Sequence, residues 1–208
     1  MSEEPEKRMM ENYEIIHSIW IGDKEVVFGQ DESNDMPYFC AFYTNNALFE
    51  SYSECVIGDD YVEMMELFSE RVKEQCEKMR EEQAKVTVPR GRIAAEICEP
   101  DNRSMDLRGK VAVIKAEALR PEYRFAEHQL VYVTGGSGAW GNSRGTTCFC
   151  ENLYSGGHES WKRYDIQGTV KPELLPEWAK EKLRELQMRR EGKENPDFQK
   201  EQREVVRE

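Results

Sequence analysis

Downstream of Asp60, the apolar residues Tyr61, Met65, Phe68, Val72, Cys76 and Met79 recur at steps of three or four. That spacing draws one apolar stripe along roughly 25 residues of helix. Asp60 is placed to cap the first turn, and Glu63, three residues on, is its capping-box partner. Glu66, Glu70, Glu74, Glu77 and Glu81 fall mainly off the stripe. A helix of this kind needs an apolar surface to cover, and the residues before it read as a sheet. Tyr13–Ile21 is rich in β-branched and aromatic residues and is followed by the turn signal Gly22-Asp23. Lys24–Phe28 completes a hairpin, Asp31–Pro37 is a loop of turn residues, and Tyr38–Thr44 is a third strand. Asn45-Asn46 breaks it, and Ala47–Val56 is either a fourth strand or a covering loop. Residues 1–12 are polar and are expected to fray.

The pattern changes at Val86-Thr87-Val88-Pro89, because proline continues neither a helix nor a central strand. A first unit over 1–86 and a second over 87–192 follow, with a charged tail over 193–208. In the second unit Ile93–Cys98 has no clear period. Gly109–Ala116, His128–Thr134, Thr146–Tyr154 and Trp161–Val170 read as strands, with Gly168 marking a bulge in the last. Short strands with Gly and Pro punctuation predict a curved antiparallel sheet or a small β-barrel. Pro172–Arg190 is a second helix, with Pro176 near its start. The expected class is therefore α+β: an antiparallel sheet with one long helix, then a β-rich unit with a C-terminal helix.

Composition narrows the function. The 208 residues are 38% hydrophobic and 34% charged. No apolar run approaches the roughly 18 residues of a membrane span. The start, Met1-Ser2-Glu3-Glu4-Pro5-Glu6, has neither the basic nor the apolar region of a signal peptide. The expectation is a cytoplasmic protein with no membrane partner and its six cysteines reduced. Cys40 and Cys76 read as small buried hydrophobes. No Ser-His-Asp order, metalloprotease motif or deaminase motif is present, so a binding role is favoured over an enzymatic one.

The net charge of −12 is unevenly placed. Residues 1–86 carry 21 acidic and 8 basic side chains, whereas 87–208 carry 20 and 21. An acidic surface repels nucleic-acid phosphates and attracts basic proteins. Carboxylates at phosphate-like spacing compete for the Lys and Arg groups of a nucleic-acid channel, and the same acids also serve solubility. Asp31, Glu32, Asp35, Asp59, Asp60, Glu63, Glu66 and Glu70 are the candidate contacts.

Three further groups carry possible chemistry. Cys148 and Cys150 lie two apart on a strand and so share a face. With His158 and His128 they offer four zinc positions. The spacing matches no familiar zinc ribbon, and a strand Cys-x-Cys serves equally as plain core, so no metal or cofactor is expected. Thr134–Gly145 holds five glycines after a strand, as a phosphate-cradling loop does. It lacks the Gly-Lys-Ser/Thr ending and leads into a strand, so it reads as a long, mobile hairpin loop, or as a partner contact anchored by Trp140 and Arg144. Arg120, Tyr123, Arg124, Trp161, Lys162 and Arg163 mix basic and aromatic side chains as a base-stacking surface does, diluted by Glu122, Glu127, Glu159 and Asp165.

Three segments carry a resemblance. They are Met36–Tyr43, then Leu119–Arg124 with His128–Leu130, then Arg163–Gly168 with Leu175–Ala179. Together, over roughly residues 11–185, they resemble small accessory proteins of integrative conjugative elements and phages of gut clostridia. The resemblance implies a setting, mobile DNA in a bacterial cytoplasm, where accessory proteins counter host defences. It assigns no functional residue. The residues and this setting together leave three expectations, the second and third resting on the residues alone. The first is an inhibitor (anti-CRISPR or anti-restriction) that occupies a basic surface of a bacterial defence nuclease. The second is a nucleic-acid-binding accessory protein using the second unit, and the third a small zinc-site protein.

Overall fold

The computed structural model describes residues 7–45 and 49–194. The chain is α+β and divides into two units, Met1–Thr87 and Val88–Glu208.

In the first unit, β1 (Met9–Met10), β2 (Tyr13–Ile21), β3 (Lys24–Gln30), β4 (Tyr38–Asn45) and β5 (Glu50–Gly58) pair in chain order. All are antiparallel and form a curled half-barrel. Alternation along the strands separates two faces. Val26, Phe28, Cys40 and Phe42 pack against Met64 and Phe68 of α1 (Tyr61–Ala84). Val27, Phe39, Ala41 and Tyr43 pack with Tyr13, Ile15, Trp20 and Tyr52 on the other face. Both faces of β3 and β4 are thus buried, which is why Val26-Val27-Phe28 runs apolar without a break.

Asp60 caps α1 as the sequence indicates: its carboxylate accepts from Val62 N at 2.8 Å and Glu63 N at 3.0 Å. The stripe differs in phase. The buried positions are Met64, Phe68, Arg71, Gln75 and Met79, whereas Met65, Val72 and Cys76 are half-buried and Tyr61 is exposed. Two polar residues lie on the core face, and an apolar count cannot see them. Arg71 holds its place by donating to the Glu54 carbonyl at 2.5 Å while its guanidinium lies 5.1 Å from the Phe42 ring.

In the second unit the sheet order is β10 (His158–Lys162), β9 (Thr147–Asn152), β8 (Leu130–Gly135), β7 (Val111–Ile114), β11 (Ile166–Val170) and β6 (Glu99–Pro100). It is antiparallel and open, not a closed barrel. One face packs under α3 (Glu177–Glu194), through Ala179, Leu183 and Leu186. The other is covered by loops carrying Leu107, Leu119 and Ala139.

Several boundaries differ from the sequence reading. His128 and Gln129 belong to a helical turn, α2 (Ala126–Gln129). Trp161–Val170 is two strands, broken by a 3₁₀ turn at Arg163–Asp165. Pro172–Leu174 is a separate 3₁₀ turn, and α3 continues beyond Arg190 to Glu194. Met9–Met10 pairs with β2 instead of fraying. The expected break at Asn46, the start of the Ala47–Val56 segment and the tail from 195 lie outside the described residues. No helix among the described residues is long and apolar enough to cross a membrane.

Candidate functional site

The eight acidic candidates are brought together by strand register. Tyr38 pairs with both Gln30 and Gly58, so the 31–37 loop and the Asp59-Asp60 turn emerge at one end of the sheet. Asp31 turns the loop by accepting from Ser33 N at 3.0 Å and Ser33 Oγ at 2.6 Å. The Tyr13 hydroxyl closes it, donating to the Met36 carbonyl at 2.8 Å. Glu63, Glu66 and Glu70 continue from that end along one exposed face of α1. None of the eight takes part in an ion pair among the described residues, whereas Glu25, Glu74, Asp101, Asp106 and Glu177 all do. The Tyr13 hydroxyl reports on this field: burial raises its pKa first, and the charges of Asp31 and Glu11 raise it further.

The basic and aromatic candidates are split. Arg120, Tyr123 and Trp161 line one cleft of about 340 Å³, with Ala118, Leu119, His128 and Glu159. Along β10, Glu159 and Trp161 are two residues apart and half-buried, while His158, Ser160 and Lys162 face solvent. The Trp161 indole donates to Glu159 Oε2 at 2.7 Å. Tyr123 and His128 meet edge-on, their ring centroids 4.8 Å apart. Arg124 instead braces the turn above, donating to the Leu119 carbonyl at 2.9 Å. Lys162 is exposed and reaches Thr147 Oγ1.

Arg163 is not a surface residue. It is buried and its guanidinium is fully occupied by Asp101 and by the carbonyls of Asn102, Met105, Gly138 and Trp140. It therefore cannot meet a phosphate. The glycine-rich segment is the long hairpin connection between β8 and β9 that its composition suggests, but the same bonds tie it down instead of leaving it free. Trp140 is nonetheless exposed, with the Arg108 guanidinium stacked 3.2 Å from its ring centroid. Arg144 is exposed nearby in sequence. Sequence reasoning missed Arg108 and counted Glu159 only as a diluting charge. The alternation of β10 could have found Glu159, and nothing in the sequence singles out Arg108.

The four metal candidates are not brought together. Cys148 and Cys150 are buried in the apolar core, His128 lines the cleft and His158 is exposed. Burial pushes the Cys150 thiol up to about 12. No group of three potential metal ligands occurs among the described residues. Compared with protein-family profiles, curated proteins and solved structures, the chain matched none.

Proposed function

We propose that the chain is a binding protein whose acidic end occupies the basic, nucleic-acid-binding surface of a partner. The observation that supports this is the gathering of eight carboxylates, none in an ion pair among the described residues, at one end of a five-stranded sheet and along the adjoining helix. Carboxylates held this way keep their charge available for Lys and Arg groups that otherwise bind phosphate. A folded scaffold also presents them without a large ordering cost on binding. The partner class is a bacterial defence nuclease, the setting that the resemblance to mobile-element accessory proteins implies.

The test is inhibition of DNA cleavage by a panel of purified CRISPR effectors and restriction enzymes. The wild-type chain is expected to inhibit at least one of them, with potency falling as salt rises. Charge reversal at Glu32, Asp35, Asp59, Glu66 and Glu70 should abolish inhibition; Asp31 and Asp60 are left intact because one turns the loop and the other caps α1. Unchanged inhibition by that variant, or inhibition of no nuclease, overturns the reading.

A further inference from the structure

We propose that the cleft beside β10 in the second unit binds a guanine base. This goes beyond the acidic-end reading and rests on different residues. A volume of about 340 Å³ is at the small end of ligand sites, suited to one base with its sugar. Three of its seven lining residues carry aromatic rings: Tyr123, His128 and Trp161. Every base has a π-face, so such walls favour a planar heterocycle over an aliphatic ligand. The rings are also held in place. Trp161 commits its one donor to Glu159 at 2.7 Å, and Tyr123 sits against His128. The turn above is closed by the bond from Tyr123 N to the Arg120 carbonyl at 2.9 Å and by the Arg124 brace on Leu119.

Glu159 selects among bases. An ionised carboxylate offers only acceptors, with lone pairs to spare after one bond to the indole. Guanine presents two adjacent N–H donors, N1–H and the 2-amino group, which a carboxylate accepts as a fork. Adenine places a ring-nitrogen acceptor beside its amino group, and uracil flanks its one N–H with carbonyls, so each sets an acceptor against the carboxylate. Arg120 lines the same cleft and adds a positive charge suited to the attached phosphate. Burying a base against Glu159 without donors would strand its charge, which turns the carboxylate into a filter as well as a contact.

A free guanine nucleotide and an unpaired guanine in a single strand share this chemistry, and one experiment separates them. The full chain is titrated with GMP, AMP, CMP and UMP while tryptophan emission is followed, and then with eight-residue oligonucleotides with and without guanine. GMP is expected to quench the emission and the other three to do so weakly. Trp161→Phe should remove the quenching, and Glu159→Gln should weaken GMP at least about tenfold while leaving AMP unchanged. Circular dichroism of both variants confirms the fold, and Arg120→Ala provides a variant outside the packed core. Tighter, salt-dependent binding of the guanine oligonucleotide identifies the single strand as the source, and binding no tighter than GMP identifies the free nucleotide. Equal responses to all four nucleotides, or GMP quenching that survives both Trp161→Phe and Glu159→Gln, overturns the proposal. The charge-reversed first-unit variant should bind GMP normally, so failure of the acidic-end reading does not remove this one.

Discussion

Arg163 and Asp101, 62 residues apart in the chain, form a bidentate pair: Nε donates to Oδ2 at 2.9 Å and Nη2 to Oδ1 at 2.7 Å. The remaining donor capacity of the guanidinium goes to backbone carbonyls on two loops. Nη1 reaches Gly138 and Trp140, and Nη2 reaches Asn102 and Met105. The planar fork of an arginine can serve this many acceptors at once, and a lysine cannot. The 3₁₀ turn at Arg163–Asp165 between β10 and β11 is what aims the side chain into the loops.

Arg163→Ala should therefore destabilise the second unit by about 3–5 kcal/mol, because it strands a partly buried carboxylate and four carbonyls. Arg163→Lys should recover only part of the loss. Denaturant unfolding followed by circular dichroism reads the stability. Trp140 emission in the native baseline should shift as the segment it sits on loosens. Full recovery by lysine would mean that charge alone matters and that the fork geometry does not.

The glycine-rich segment is held by close approach as well as by Arg163. A Cβ on Gly138 would meet the Thr146 carbonyl carbon at 2.5 Å, whereas one on Gly135 would meet nothing within 4 Å. Gly138→Ala is expected to cost about 1–3 kcal/mol through overpacking against backbone that cannot easily give. Gly135→Ala should stay within about 0.5 kcal/mol of wild type. Thermal midpoints of the two variants make the comparison, and equal midpoints would show that the segment adapts freely.

The fold class was legible because its signals are local. Asp60 as a cap, the Gly22-Asp23 turn and the apolar strands each announce themselves within a few residues. What was not legible depends on partners far along the chain. Arg163 reads as one more basic residue beside Trp161 and Lys162 until Asp101 is brought to it. The glycines read as slack until the opposing backbone is in place. The α1 stripe was read correctly at Phe68 and Met79 and one position off at Met65, Val72 and Cys76, beside the buried Met64, Arg71 and Gln75, since an apolar count skips the two polar core residues. The acidic end was legible as composition, and only the pairing of Tyr38 with Gln30 and Gly58 turned it into a surface.

Gln75 offers a prediction of the opposite sign. Its side chain is buried on α1, and its Nε2 has no hydrogen-bond partner among the described residues. An unmet buried donor costs more than an apolar group of similar shape. Gln75→Leu should therefore stabilise the first unit, by about 1 kcal/mol. Urea midpoints read it, and a loss of stability would mean that the amide is satisfied in solution.

Asp106 is paired with Arg108, the residue stacked on Trp140. It accepts from Arg108 Nη2 at 2.5 Å and from Arg108 N at 3.0 Å, and these bonds lower its pKa from 3.8 to about 2. A lowered carboxyl pKa means that the contact is fully present above the unfolded value and is lost as pH falls through the folded one. The pair should thus persist at pH 4 and be lost on a titration centred at about pH 2, while its contribution to stability declines as pH falls from 3.8 to about 2. Carboxyl carbon shifts of Asp106, followed together with the indole shifts of Trp140, should titrate with a midpoint of about 2. Asp106→Asn should abolish the pH dependence, and a midpoint at the ordinary carboxyl value would show that the pair does not hold in solution.

The cysteines sort by burial into thiols that react and thiols that do not. Only the thiolate attacks a disulfide reagent, and burial disfavours that form. It raises the pKa of Cys40, Cys98 and Cys148, and it pushes Cys150 from 9.0 to about 12, with smaller contributions from Cys148 and Glu159. Cys55 is exposed on the edge strand β5, and Cys76 is half-buried on α1. Ellman's reagent at pH 8 should therefore show one fast thiol, a slower second and four that appear only on unfolding. Cys55→Ser should remove the fast phase. Alkaline pH gives the thermodynamic counterpart. Between 9.0 and about 12 the unfolded chain ionises a Cys150 thiol that the native chain keeps protonated, so stability falls as pH rises across that range. Cys150→Ala should flatten that slope relative to wild type, and a fast phase containing Cys148 or Cys150 would contradict their burial.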